Sequence, residues 1–257
     1  MDYTHAVILS IVEGLTEFLP ISSTGHLVLT SKILQLSQTE FLKSFEIFIQ
    51  IGAILAIVVI YAKTLIHNFK VWKLILTAFF PTAILGLVFY KVIKELILGN
   101  IAVTLWALFI GGALIILFER FYKEQDHHLE KVENLSFKNA FLIGVFQSFA
   151  MIPGVSRAAA TILGGLLVGL KRKPAAEFSF LLALPTMIAA TSLDLIKGGL
   201  TFSFQEISLL LVGTLGSFIT AFISVKLFIN FLDRHNFVVF GIYRMILALL
   251  FYLIFFN

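Results

Sequence analysis

Long, nearly uninterrupted apolar runs set the pattern of this chain. A helix that spans a bilayer needs about 20 consecutive apolar residues. Six segments reach that length: Phe41–Tyr61, Val71–Ile93, Ile101–Phe121, Ala176–Ile196, Ile207–Phe231 and Val238–Phe255. Two other apolar stretches are broken. His5–Leu34 is interrupted at Pro20-Ile-Ser-Ser-Thr-Gly25, and Phe137–Leu170 at Pro153-Gly-Val-Ser156. Each reads as two half-length helices around a break, with Pro20 closing the first half-helix because it cannot continue the ladder. Irregular backbone at membrane depth is tolerated only where protein buries it or where it lines a wet cavity.

The two breaks resemble each other. Aligning Glu13 with Gln147 also aligns Ser22 with Ser156 and Ser23 with Arg157. Three of the six apolar segments follow each break. The expected architecture is therefore an all-α integral membrane protein with six transmembrane helices and two re-entrant pairs, arranged as inverted-topology repeats. The first repeat covers residues 1–122, a connecting loop 123–136 and the second repeat 137–257, all in one membrane domain. Matching broken helices in two such halves point to a site near the bilayer midplane.

Composition excludes a soluble fold. Apolar residues make up 59% of the chain and charged residues 13%, with a mean hydropathy of +1.00. A soluble domain carries roughly 25% charged residues. Backbone groups in lipid must be satisfied internally, which leaves helices or closed barrels, and runs this long favour helices. There is no cysteine, so disulfides and thiolate metal sites are excluded. The first apolar stretch carries Glu13 and Glu17 and follows no basic segment, so it is read as structure rather than a secretory leader. The net charge of +4 is small and its basic residues sit in short loops, which fits membrane topology and not nucleic-acid binding. With re-entrant breaks, Lys63, Lys70, Lys73, Arg120, Lys123, Lys131, Lys138, Lys171, Arg172, Lys173 and Arg234 share one side. Lys32, Lys43, Lys91, Lys94 and Lys197 share the other. The richer side is assigned to the cytoplasm, which puts both termini outside.

The chemistry lies in the polar residues inside the apolar stretches. Glu13 and Glu17 are four apart and share a helix face. Carboxylates at this depth need a cation, an arginine or a shared proton. In Ser22-Ser23-Thr24-Gly25-His26 a hydroxyl caps the second half-helix, and its free N–H groups make an anion site. The hydroxyls add donors and a nucleophile, and His26 adds a proton carrier. Ser156 repeats the cap. Arg157 at that helix start calls for an anion, either phosphate or one of the two glutamates. Arg244, inside the last span, reads as a second phosphate contact or as a side chain snorkelling to the nearer face. Gln50 and Glu177 read as interhelical hydrogen-bonding residues. His5, His67, His127, His128 and His235 lie in loops or flank spans and read as solvated.

These residues carry a family resemblance. Glu13-Gly-Leu-Thr-Glu17-Phe-Leu-Pro-Ile-Ser-Ser-Thr-Gly-His26-Leu resembles the first signature of the undecaprenyl-diphosphate phosphatases, also called bacitracin-resistance proteins. Pro153-Gly-Val-Ser-Arg157 is similar to their second signature. Gln50-Ile-Gly-Ala-Ile-Leu-Ala56, Glu177-Phe-Ser-Phe-Leu-Leu-Ala-Leu-Pro185 and Arg244 match in order, so the resemblance covers the whole chain. It implies hydrolysis of undecaprenyl diphosphate to undecaprenyl phosphate and inorganic phosphate, which recycles the lipid carrier for peptidoglycan and confers bacitracin resistance. It also implies inverted repeats and a site open to the periplasm in a bacterial cytoplasmic (inner) membrane. A divalent cation, Mg2+ or Ca2+, is implied too. One departure is visible: Ala158-Ala159-Ala160-Thr161 stands where the family usually has Ser-Gly-Ala-Thr, which removes a hydroxyl beside the arginine.

On this reading Glu13 and Glu17 hold the cation, whose preference is for carboxylate oxygens. Ser22, Thr24, Ser156 and Arg244 bind substrate phosphate, and Glu17, Ser23, His26 and Arg157 form the catalytic set. The nucleophile is open between Ser23, His26 and metal-activated water. Membrane lipids surround the chain, the polyprenyl tail lies among them, and a homodimer is one open arrangement. The rival class is a lipid-carrier flippase or secondary transporter on the same architecture. The second half pairs Met151 with Glu17 and Ala160 with His26, an asymmetry that favours the enzyme.

Overall fold

The computed structural model describes residues 1–37, 39–89, 101–198 and 202–256. Among them there is no β-strand, only an isolated bridge between Leu129 and Leu170. The helices are α1 (Tyr3–Thr16), α2 (Ser23–Ile33), α3 (Glu40–Ile60), α4 (Ala62–His67), α5 (Phe69–Val88), α6 (Ile101–Phe121), α7 (Phe137–Ser148), α8 (Arg157–Leu167), α9 (Arg172–Gly198), α10 (Phe204–Phe231) and α11 (Val238–Phe256). Short 3-10 turns cover Val132–Asn134 and Phe149–Met151.

Helix starts follow local chemistry. Asp2, Thr39, Ser136 and Ser203 each accept an amide N–H from the first turn of α1, α3, α7 and α10, which satisfies a donor with no helical partner. Pro81 in α5 and Pro185 in α9 each remove one ladder hydrogen bond.

Five helices, α3, α5, α6, α9 and α10, are long and apolar enough to cross a membrane. The apolar α11 falls just short over its described side chains. Large apolar side chains face outward, as a lipid solvent requires. On α10 the exposed Leu211, Leu215, Ile219, Ile223 and Leu227 repeat every four residues and form one stripe. This is a multi-pass helical membrane protein.

The two breaks fall where expected, with shifted edges. α1 ends at Thr16, one turn before Pro20, so Pro20 does not close the helix as the sequence suggested. The residue before a proline avoids the helical region, and residues 17–21 turn instead. Thr24 and Gly25 belong to α2. The span expected at Val71–Ile93 leaves its helix after Val88, and its residues 90–93 lie outside the described part.

The halves interlock. α1 packs on α10, and α7 packs on α5, so each opening helix lies against a helix of the other half. α10 also packs on α3, α9 contacts α3, α5 and α8, and α6 packs on α11. Close approach needs small residues. A Cβ on Gly14 would lie 2.5 Å from the Ser217 carbonyl, and one on Gly144 would lie 1.9 Å from the Ala78 carbonyl.

The connecting loop is pinned rather than free. The Leu129 amide donates to Gly169 O at 2.8 Å, and the Lys171 amide donates to Leu129 O at 3.0 Å. Lys171 Nζ pairs with Glu130 at 2.6 Å, which raises the lysine pKa and lowers that of the glutamate. His128 stacks on Tyr122, while His127 is exposed. Nearby, Glu119 accepts from Arg172 Nη2 at 2.7 Å and from the Phe237 amide at 3.0 Å, tying α6, α9 and the start of α11 together.

Candidate active site

The two breaks meet inside the molecule. Ser22 and Ser156 cap α2 and α8 from backbones with positive φ, 72° and 74°. Each hydroxyl accepts the amide three residues ahead, from Gly25 and from Ala159. Ser23, Thr24 and Arg157 therefore begin helices whose first N–H groups have no helical partner. Those helix starts face a cavity of about 620 Å³. Glu17, Ser22, Ser23, Thr24, Ser156 and Arg157 line its polar end. Apolar Phe79, Ala83 and Leu87 of α5 and Met187 and Ala190 of α9 also line the cavity, with the polar Gln50, Thr82, Gln147 and Thr186 among them.

At the polar end Ser23 Oγ donates a hydrogen bond to Glu17 Oε2. Arg157 Nη2 binds the other carboxylate oxygen at 3.2 Å, and the ion pair is nearly buried. Arg157 Nη1 donates to Ser179 O at 2.9 Å, and its Nε–H is buried without a partner. The guanidinium thus pairs with a glutamate, one of the two sequence readings, and keeps one donor free. Thr161 Oγ1 donates to Ser179 Oγ at 2.6 Å and orients the residue that holds the arginine. The missing hydroxyl at Ala158 leaves Arg157 well held, because Ser179 and Glu17 fix the guanidinium, and Ala158 is itself buried in packing.

Glu13 lies one turn behind Glu17, fully buried, and does not line the cavity. Both of its carboxylate oxygens are without a hydrogen-bond partner. Its charged neighbours are Glu17, Glu46 and Arg157. A buried carboxylate in that state calls for a proton shared with Glu17 or for a cation. Free carboxylate oxygens beside a second carboxylate are the donor set that hard divalent cations prefer, so these residues fit Mg2+ or Ca2+. Among the described residues no group of three or more metal-ligating acids or histidines gathers. A cation held here would complete its shell with phosphate and water oxygens.

Two expected site residues lie elsewhere. His26 turns away from the cavity. Its Nδ1 donates to Ser22 O at 2.8 Å, which makes Nε2 the acceptor for the Tyr243 hydroxyl at 2.7 Å. The ring stacks on Tyr243 and faces neither Glu17 nor Ser23. Arg244 is fully buried, and all its hydrogen bonds go to backbone carbonyls. It neither snorkels nor offers a donor to phosphate. Burying a guanidinium away from water requires partners for every N–H, and carbonyls of the two breaks and of α6 supply them.

Gln50 lines the cavity, whereas Glu177 does not. Sequence reasoning passed over three residues that matter. Glu46 is a half-buried carboxylate in the apolar run of α3, bonded by Ser31 at 3.2 Å, and the logic applied to Glu13 would have flagged it. Tyr243 and Ser179 are ordinary residues of apolar segments, and only the folded contacts single them out.

Comparison with known proteins gives the family. The family model described as "Bacitracin resistance protein BacA" matches residues 6–250. A protein named undecaprenyl-diphosphatase from Aquifex aeolicus is 54% identical, over 98% of both chains. One of the same name from Persephonella marina is 52% identical, over 98% of this chain and 99% of its own. Another from Methanococcus aeolicus is 42% identical, over 97% of both chains. Glu17, Ser23 and Arg157, converging from the two signature breaks, sit in a chain that belongs to the BacA family of bacitracin resistance proteins.

Proposed function

We propose that this chain hydrolyses undecaprenyl diphosphate to undecaprenyl phosphate and inorganic phosphate, recycling the carrier lipid for peptidoglycan synthesis and conferring bacitracin resistance. The observation that carries the reading is the hydrogen bond from Ser23 to Glu17, with Arg157 on the opposite carboxylate oxygen, in a cavity lined by these groups and by apolar side chains of α5 and α9. That lining suits a substrate with a diphosphate head and a hydrocarbon tail. The names of the relatives support the same substrate.

Phosphoryl transfer rests on positioning and charge stabilisation. Ser23 Oγ attacks the distal phosphorus while its proton passes to Glu17. The bridging P–O bond breaks and its electron pair leaves with undecaprenyl phosphate. Arg157 Nε–H and the amides opening α2 and α8 stabilise charge on the transferred group. Water then adds to the phosphoserine phosphorus, Glu17 returns the proton to Ser23 Oγ, and inorganic phosphate departs. A divalent cation, when bound, neutralises phosphate charge, and Glu17 backed by Glu13 would hold it. Ser22, Thr24 and Ser156 cradle the remaining oxygens. His26 does not line the cavity, and the hydrogen bond to Glu17 favours Ser23 as the nucleophile over metal-activated water.

The same proposal covers topology. α2 and α8 have 11 residues each, about 16 Å, roughly half the hydrocarbon thickness. They are read as re-entrant, six other helices as spans, and the halves as inverted repeats. The exchanged packing of α1 and α7 supports that symmetry. The charge asymmetry then puts the chain in the bacterial cytoplasmic membrane with both termini outside and the cavity open to the periplasm. A homodimer fits the same arrangement. The test is phosphate release by purified protein given undecaprenyl diphosphate and Mg2+ or Ca2+, beside Glu17→Ala, Ser23→Ala and Arg157→Ala. No release from folded, monodisperse wild type under either metal sinks the reading.

A further inference from the structure

Arg244 holds the two breaks together. A guanidinium carries five N–H donors in a rigid fork. Nη1 donates to Pro20 O at 3.2 Å and to Val155 O at 3.0 Å. Nη2 donates to Gly154 O at 2.8 Å and to Ala107 O at 3.1 Å, and Nε donates to Leu108 O at 3.3 Å. Pro20 belongs to the first break, Gly154 and Val155 to the second, and Ala107 and Leu108 to α6. One side chain from the last helix therefore joins both breaks and a third element.

The contacts also set peptide orientation. In a trans peptide the N–H points opposite the carbonyl. Fixing the Val155 carbonyl turns the Ser156 N–H away from Arg244, and Ser156 lines the cavity. The first break carries Ser23 and Glu17, and the second carries Arg157. Their meeting at 3.2 Å depends on how the breaks sit against each other. α6 leaves room for the fork at Gly111, where a Cβ would lie 2.2 Å from Nη2.

We infer that Arg244 is a positioning residue, which clamps the two breaks so that Ser23, Glu17 and Arg157 converge on one phosphate. The inference rests on the phosphatase reading for its catalytic consequence, but the clamp is measurable without activity. Lysine at this position keeps the charge and loses the fork. Gly111→Ala keeps Arg244 and displaces its head, which guards against a variant that fails to fold.

The experiment measures steady-state phosphate release and amide hydrogen exchange on wild type, Arg244→Met, Arg244→Lys and Gly111→Ala in detergent. In every variant kcat falls by roughly tenfold to a hundredfold, the cost of a small misplacement of reacting groups. KM stays within about twofold, since the tail contacts are untouched. Exchange rises together in residues 17–22 and 152–156 while the α3–α10 pair keeps its wild-type protection. Wild-type kcat in Arg244→Lys or Gly111→Ala overturns the clamp. So does exchange that rises in one break only, or uniformly along the chain. If wild type itself releases no phosphate, the phosphatase reading fails, and the exchange pattern alone decides the clamp.

Discussion

Ser22 and Ser156 share one backbone conformation, with φ of 72° and 74°, and one cap, a hydroxyl that accepts the amide three residues ahead. A side-chain-bearing residue at such a φ is strained by about 1–3 kcal/mol. Glycine relieves that strain and gives up little as a cap, whereas alanine keeps the strain and loses the cap at about 1 kcal/mol. Ser156→Gly is therefore expected to unfold in detergent at a higher temperature than Ser156→Ala, with the same order at Ser22. Thermal unfolding followed by tryptophan fluorescence checks the order, and its reversal at both positions would refute the strain argument.

In the proposed reaction Glu17 and Ser23, joined by a hydrogen bond, act as one unit. Losing a general base costs about 10²–10⁴-fold in rate, so Glu17→Gln and Ser23→Ala each abolish most phosphate release. The double variant is expected to be no slower than Ser23→Ala alone, because residues that act together are non-additive. A double variant slower by the product of the single losses would separate their roles.

Much of this was legible in the sequence. The helices follow from apolar run length, and the breaks follow from Pro, Gly and adjacent hydroxyls. Glu13, Glu17 and Arg157 stood out because charge inside an apolar run needs a partner. What the sequence could not give was direction. His26 sits four residues after Ser22, so its ring lies back over Ser22 O and against Tyr243 from a distant helix. Arg244, inside the last span, read as a phosphate contact or as a snorkelling side chain. Its partners are carbonyls, which any residue supplies and no side-chain pattern reveals.

His26 is bonded to Ser22 O and to the Tyr243 hydroxyl, and the proposed reaction does not use it. His26→Ala is expected to retain phosphate release within roughly tenfold of wild type, far from the loss in Ser23→Ala. Tyr243→Phe should behave like it, since it removes the Nε2 partner alone. Rates measured at saturating substrate decide this. A His26→Ala loss equal to that of Ser23→Ala would return the imidazole to the reaction.

Glu119 is placed for stability alone. Its carboxylate is nearly fully buried and holds Arg172 and the Phe237 amide. Removing one partner of a buried pair costs about 3–5 kcal/mol. Glu119→Ala is expected to lower the unfolding temperature strongly while the folded fraction keeps its wild-type KM. A KM shift with unchanged stability would connect this end of the molecule to the substrate.

Glu13 gives the sharpest test of the cation. Its counterpart Gln147 is satisfied, donating to Thr82 at 3.0 Å and Thr186 at 3.1 Å. Under the alignment that pairs the two breaks, Thr82 and Thr186 correspond to Gly216 and Gly52, which have no hydroxyl to offer. Glu13 is left with two bare oxygens beside Glu17. Without a cation, Glu13 must carry an unpaired buried charge or take up a proton, and Glu13→Gln removes that cost, so the variant is expected to unfold at a higher temperature than wild type in chelator. The same change removes a hard-cation ligand. Mg2+- or Ca2+-dependent thermal stabilisation should then shrink, and the metal concentration for half-maximal phosphate release should rise by about 10–100-fold. Titration of metal against unfolding temperature and rate reads both effects. If Glu13→Gln keeps the wild-type metal requirement and gains no stability in chelator, Glu13 neither carries uncompensated charge nor holds the cation.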